Sequence, residues 1–185
     1  MSTVKKYVSL VKFSHTIFAL PFAMIGFALG AIPRLRVYTS LYSDVLGSTK
    51  AEYIRHLLII FILVLICMVT ARSAAMAFNR YLDRSFDAKN PRTAIREIPA
   101  GIISANSALR FVILNCVIFL ITSFFINLMC FYLAFVALFV VLFYSYTKRF
   151  TALCHLVLGL GLSFAPIGAY IAVTSEFALL PVLFS

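Results

Sequence analysis

The chain has 185 residues, of which 63% are hydrophobic and only 12% charged, with a mean hydropathy of +1.05 and a formal net charge of +10. That composition lies far outside the range of soluble domains and points to a polytopic membrane protein. The positive charge does not point to nucleic acid, because the basic residues fall between apolar runs instead of along one soluble face.

A membrane-crossing helix takes about 20 mostly apolar residues. Lys5, Lys6 and Lys12 precede the first such window, residues 13–33. This start has the outline of a signal peptide, but further apolar helices follow it, so an uncleaved first helix is expected. Residues 34–55 are polar and mixed, with Ser40, Ser43, Asp44, Gly47 and Ser48, and read as an external loop. The second window begins at His56, is interrupted only by Arg72 and runs to Asn79. The uncharged stretch 111–147 is too long for one crossing at about 1.5 Å per residue. It is expected to form two helices meeting in a short turn at Ile126 and Asn127. Residues 150–175 supply a fifth crossing, and 177–185 the start of a sixth. The expected fold is therefore all-α: a polytopic helical bundle with five transmembrane helices and the start of another, residues 1–185 forming one incomplete domain.

Orientation follows from the basic residues. With the N-terminus in the cytoplasm, the inside segments carry Lys5, Lys6, Lys12, Arg80, Arg84, Lys89, Arg92, Arg96, Arg110, Lys148 and Arg149, and the outside segments only Arg34, Arg36, Lys50 and Arg55. That asymmetry is the positive-inside pattern. It places the N-terminus and the segment after Asn79 on the cytoplasmic side; the membrane expected is a bacterial inner (plasma) membrane. Cys67, Cys116, Cys130 and Cys154 have neither CxxC nor metal-ligand spacing and are expected to pack. His15, His56 and His155 lie at helix ends and receive no catalytic role; His155 is nearest a functional candidate.

The charge is unevenly spread: residues 79–101 hold Arg80, Asp83, Arg84, Asp87, Lys89, Arg92, Arg96 and Glu97. On a helix of 3.6 residues per turn, Arg72, Asn79, Asp83 and Asp87 recur on roughly one face. A charged group at membrane depth costs about 2.5–3.5 kcal/mol on insertion scales and by default marks function, Arg72 being the deepest. An ion pair that merely joins helices is the plainer alternative for it. Two carboxylates one turn apart, backed by an asparagine, suit Mg2+, which uses one or two carboxylates plus phosphate oxygens. Lys89, Arg92 and Arg96 after them suit an anionic diphosphate. A solvated cytoplasmic loop would explain the cations but not the spaced aspartates. A second pair, Tyr144 and Lys148, lies one turn apart before Arg149 and could present a phenol and an ammonium to a common cavity; as an aromatic-belt residue and a positive-inside lysine it would also be unremarkable.

The segment NRYLDRSFDAKNPRTAIREIPAG resembles the first aspartate-rich motif of the UbiA superfamily of intramembrane prenyltransferases, NxxxDxxxD followed by an NPRT-like segment. ARSAAMAFN before it, YSYTKR at 144–149 and APIGAY at 165–170 are similar to the family's, and FSHTIFALPFA looks like its 4-hydroxybenzoate polyprenyltransferase-like branch. The resemblance extends over essentially the whole chain. It implies the N-terminal part of a nine-helix bundle with a cavity open towards the bilayer, in which Mg2+ holds a polyprenyl diphosphate. On that basis Asn79, Asp83 and Asp87 are the metal and diphosphate positions, and Arg92 and Lys148 contact the diphosphate. Arg96 joins them as a substrate-binding cation, Tyr144 is the tyrosine of a YxxxK pattern, and Arg72 is a cavity arginine beside an aromatic acceptor. The implied reaction is transfer of the polyprenyl group to an acceptor such as 4-hydroxybenzoate, or a naphthoate, in quinone biosynthesis.

One departure from the pattern is clear. The family's second DxxxD motif has no counterpart here: no aspartate follows Asp87, and Glu97 and Glu176 are the only later acids. The expectation is therefore either the N-terminal part of a longer enzyme or a truncated gene product. For the chain by itself the alternative is a non-catalytic remnant that binds lipid diphosphate or other membrane proteins, and a second polypeptide supplying the missing helices is a candidate partner. A CDP-alcohol phosphotransferase lacks support because its DGxxAR opening is missing. A transporter would leave the NPRT segment and the aspartate spacing without a reason.

Overall fold

The computed structural model describes residues 3–11, 20–41, 47–148, 150–151 and 154–183. The helices are α1 (Thr3–Val11), α2 (Leu20–Leu41), α3 (Gly47–Asp87), α4 (Ala105–Ile126), α5 (Leu128–Thr147), α6 (Cys154–Thr174) and α7 (Leu179–Leu183). There is no strand among the described residues. The five helices α2 to α6 are long and apolar enough to cross a membrane, as expected, and the chain is an integral membrane protein. Their outer faces carry exposed Ile113, Leu114, Phe124, Phe125, Phe139 and Leu156, side chains that suit lipid rather than water.

Three boundaries differ from the sequence reading. Residues 34–55 are helical for most of their length, because α2 continues past Pro33 to Leu41 and α3 has already begun at Gly47. Composition alone suggested a loop, but polar residues are compatible with helix once it has left the bilayer. At about 1.5 Å per residue, the 41-residue α3 is roughly 60 Å long, twice the hydrocarbon thickness. Its charged ends therefore stand outside the apolar zone. Lys12, residues 13–19 at the beginning of the first apolar window, residues 42–46 with Ser43 and Asp44, and Arg149 lie outside the described residues.

The third difference is α1, a separate nine-residue helix where only a basic lead was expected. Tyr7, Leu10 and Val11 follow the i, i+3, i+4 spacing of an apolar helix face. Leu10 is fully buried, and Tyr7 stacks on Phe111 of α4 with ring centroids 4.9 Å apart. Leu10 joins Ala74, Ala77, Ile98, Ile103, Ala108 and Val112 in one core, which unites α1, α3, α4 and the segment 88–104.

A second core joins α2, α3, α5 and α6 through Ala23, Ile60, Val64, Cys130, Ala169 and Ile171. The α2–α6 contact is close. A methyl group on Gly26 would overlap the Pro166 carbonyl, and one on Gly30 would come within 3.2 Å of the Val173 and Thr174 side chains. Small residues permit such backbone approach. Towards one end of this pair, the Arg34 guanidinium donates to the carbonyls of Thr174 (2.6 Å) and Val173 (3.3 Å) and pairs with Glu176 at 3.7 Å. These are the last carbonyls of α6, which lack partners within their helix and attract cations.

The expected turn at 126–127 is present. Asn127 ends α4 and caps α5: its Oδ1 accepts from the Cys130 N–H at 2.7 Å, and its Nδ2 donates to the Ile171 carbonyl at 3.0 Å. One side chain thus makes the hairpin and ties it to α6. This turn and Arg34 share one end of the bundle; α1, the segment 88–104 and Lys148 share the other.

Candidate functional site

Helices α2 to α6 enclose a cavity of about 390 Å³. Its wall is built mainly from small or apolar side chains, including Ala71, Ala75, Ala134, Ala137, Gly161 and Ala165. On α3, Ala71 and Ala75 lie one turn apart and present small side chains to the cavity, whereas Ala74 and Ala77 are buried against the other core with Leu10. Arg72, Asn79, Ser123 and Tyr144 are polar groups in the lining. The Arg72 Nε is buried without a hydrogen-bond partner. A cationic donor left unsatisfied in an apolar wall is costly. A bound anion would satisfy it.

Asn79 connects this cavity to a polar cluster. The Lys148 ammonium donates to the Asn79 Oδ1 and to an Asp83 carboxylate oxygen, joining the end of α5 to the end of α3. The sequence predicted Asn79 and Asp83 on one face and Lys148 and Tyr144 on another helix; the fold brings the two sets together. Tyr144 lines the cavity one turn before Lys148. The ammonium stands where oxygen ligands from two residues converge on a cation. The donor set therefore fits a hard ion such as Mg2+, which takes one or two carboxylates and completes its shell with water or phosphate. Among the described residues no group of three or more His, Cys, Asp and Glu side chains forms a metal cage.

Asp87 is engaged differently. Helix α3 does last to this residue, as the stripe requires, but the buried Asp87 carboxylate accepts from Arg96 Nη1 at 2.8 Å through both oxygens. Thr93 Oγ1 donates to the Asp87 carbonyl at 3.0 Å. Arg96, expected to be a substrate cation, is thus held on a carboxylate expected to be a metal ligand. Arg92 and Lys89 are exposed on the same segment. The Arg92 N–H donates to Asn90 Oδ1 at 3.0 Å, which folds the NPRT stretch into a turn. Gly101, with φ +72°, supplies the left-handed step that returns the segment towards α4. His155 is exposed, as is His56.

Sequence spacing did not reveal a second polar cluster. Glu97 accepts from Arg80 of α3 and from the Ser9 hydroxyl of α1, partners 17 and 88 positions away. Burial pushes the Glu97 carboxyl up, but the Ser9 hydroxyl, its own backbone N–H and the Arg80 guanidinium outweigh this and hold it below the usual carboxylate range. Only the unexpected α1 could have exposed this signal. The four cysteines, expected to pack, are buried at Cys130 and Cys154 and half-buried at Cys67 and Cys116; Cys67 and Cys130 line the cavity.

The sequence profile of the UbiA prenyltransferase family matches residues 37–185. The chain is 33% identical over 131 residues to a 4-hydroxybenzoate octaprenyltransferase from Vibrio cholerae serotype O1, covering 71% of this chain and 45% of that protein. It is 38% identical over 105 residues to a 4-hydroxybenzoate octaprenyltransferase from Tolumonas auensis, covering 57% and 37%. The chain therefore spans less than half the length of these curated relatives. Among solved structures, the apo form of a UbiA homolog from Aeropyrum pernix K1 superposes with a TM-score of 0.70 at 30% identity, over 92% of this chain and 55% of that one. A digeranylgeranylglyceryl phosphate synthase superposes with a TM-score of 0.75 over 100% and 57%; at 17% identity this likeness concerns the fold. Matched over most of its length by the family profile and sharing the all-helical bundle, the chain belongs to the UbiA prenyltransferase family.

Proposed function

We propose that this chain forms the diphosphate-binding part of an intramembrane prenyltransferase, which transfers a polyprenyl group from its diphosphate to an aromatic acceptor such as 4-hydroxybenzoate. The observation that carries this reading is the position of Asn79, which lines an apolar cavity and also belongs to the Asp83–Lys148 cluster. A substrate with an apolar tail and an anionic head requires that arrangement.

Asn79 and Asp83 would hold Mg2+, with Asp87 next along α3. When bound, the ion supplies charge stabilisation for a departing diphosphate. Lys148, released from Asp83, would donate to the diphosphate oxygens, and Arg92 on the neighbouring turn would add a second cation. Arg96 would do so on leaving Asp87. Departure breaks the allylic C–O bond, and the cation that remains is attacked by an electron-rich ring carbon, which then loses its proton. The apolar wall keeps water from that cation. Arg72 would bind the acceptor's carboxylate, which answers its unpartnered Nε. Tyr144 would orient the ring near the head group. A naphthoate could be held by the same groups. The basic residues at the α1 end support a cytoplasmic N-terminus in a bacterial inner membrane, with the site facing the cytoplasm.

The test is turnover. Membranes containing the intact protein, given Mg2+, farnesyl diphosphate and ring-labelled 4-hydroxybenzoate, should form a prenylated product, and Asp83→Ala should abolish it. Product formation by the variant at the unmodified rate would refute the assignment.

A further inference from the structure

The Ser9–Glu97–Arg80 cluster lies outside the polar site and joins three separate segments: α1, the connection 88–104 and α3. It is built of charges withdrawn from water, with the Arg80 and Glu97 side chains 10% and 12% exposed. Such a pair is a poor device for stability alone, since well-packed apolar residues in its place often serve as well or better. What it supplies is geometry, because the carboxylate is satisfied only when all three segments are in register.

Glu97 has a defined place in the connection. The preceding residue, Arg96, is fixed to Asp87, one turn beyond Asp83 on α3. The following residue, Ile98, is buried with Leu10 of α1 and Ile103. The Ile103 N–H donates to the Glu97 carbonyl at 3.0 Å and closes the far side of the turn. Thr93 Oγ1 also donates to the Asp87 carbonyl at 3.0 Å, a contact that does not depend on Arg96, so Lys89 and Arg92 sit on a short exposed arch with both feet anchored, one at Asp87 and the other at Glu97.

We propose that Glu97 is a positioning residue for anion binding: Ser9 and Arg80 grip it so that the arch bearing Lys89, Arg92 and Arg96 is held beside the Asn79–Asp83–Lys148 cluster. Helix α1 is then a working part of the site and not a passive leader. The ligand class is the diphosphate head group of a prenyl diphosphate, so this inference rests on the function proposed above.

The test uses the intact protein in detergent, with Glu97→Gln to remove the charge while keeping the shape, and Ser9→Ala to remove only the grip from α1. Two readouts are taken. The first is the dissociation constant of farnesyl diphosphate with Mg2+ beside that of 4-hydroxybenzoate; the second is the rate of trypsin cleavage after Lys89 and Arg92. Glu97→Gln should weaken farnesyl diphosphate about tenfold, within the roughly 100-fold that a 1 Å misplacement can cost, and leave 4-hydroxybenzoate unchanged. Ser9→Ala should shift it in the same direction by less, and both variants should be cleaved faster. Unchanged diphosphate binding, equal weakening of both ligands or unchanged cleavage overturns the proposal. Should Glu97→Gln fail to accumulate, Ser9→Ala decides by the same criteria. If the unmodified protein binds no farnesyl diphosphate, the function proposed above fails, while the cleavage rates still decide whether α1 holds the arch.

Discussion

Lys148 and Asp83, 65 positions apart in sequence, form a salt bridge that joins the ends of α5 and α3 beside the cavity, and Lys148 also donates to Asn79. The same ammonium that compensates the carboxylate without a ligand would be needed by a diphosphate. Lys148→Ala should therefore separate the two functions. In the absence of diphosphate the variant should bind Mn2+ about tenfold more tightly, equivalent to ~1.4 kcal/mol, because no ammonium competes for the oxygens. It should bind farnesyl diphosphate more weakly. Manganese titration followed by electron paramagnetic resonance measures the first effect; unchanged Mn2+ affinity would contradict the competition.

Arg72 should be dispensable for folding and important for the acceptor. Its Nε has no partner in the apolar wall, so Arg72→Met should leave the thermal midpoint unchanged or raise it. A hydrogen bond to a charged group contributes roughly 1.5–3 kcal/mol, so 4-hydroxybenzoate should bind about 10 to 100 times more weakly. Affinity for farnesyl diphosphate should change little.

The α2–α6 contact offers a matched pair of glycine substitutions. A methyl on Gly26 meets the Pro166 carbonyl, whereas one on Gly159 of α6, away from that contact, meets no neighbouring atom within 4 Å beyond its own helix backbone. Gly26→Ala should destabilise by about 1–3 kcal/mol through overpacking. Gly159→Ala should stabilise by up to about 1 kcal/mol, because glycine is the worse residue inside a helix. Thermal unfolding in detergent compares them directly.

Glu97 makes stability depend on pH in a defined direction. Its carboxyl titrates lower in the folded protein than in the unfolded chain. Its contribution is therefore complete above the ordinary glutamate value of about 4.3 and is lost as pH falls through the lower folded value. Thermal midpoints of the unmodified protein and Glu97→Gln, compared from pH 6 downwards, should converge in acid. A constant gap would contradict the pairing.

Much of the bundle was legible because its pattern is local. The uncharged runs marked five crossings, and Asn127 marked the hairpin because it stands near the middle of a run too long for one crossing, where a turn has to fall. The polar ends of α2 and α3 were not legible, since Ser, Thr, Lys and Glu serve equally in a loop and in a helix beyond the bilayer. In the site, the α3 stripe and the Tyr144–Lys148 pair could be read from helical spacing. The exchange of partners could not: Lys148 on Asp83, Arg96 on Asp87 and Glu97 between Ser9 and Arg80 are set by which segments pack together.

In the proposed function, Asn79 and Asp83 form a metal-dependent diphosphate site at the polar end of the cavity. The experiment is titration of farnesyl diphosphate into the purified protein, with and without Mg2+, and again into Asp83→Ala. Binding should be saturable, require Mg2+ and disappear in the variant. Binding of equal strength without Mg2+, or undiminished in Asp83→Ala, would contradict that assignment.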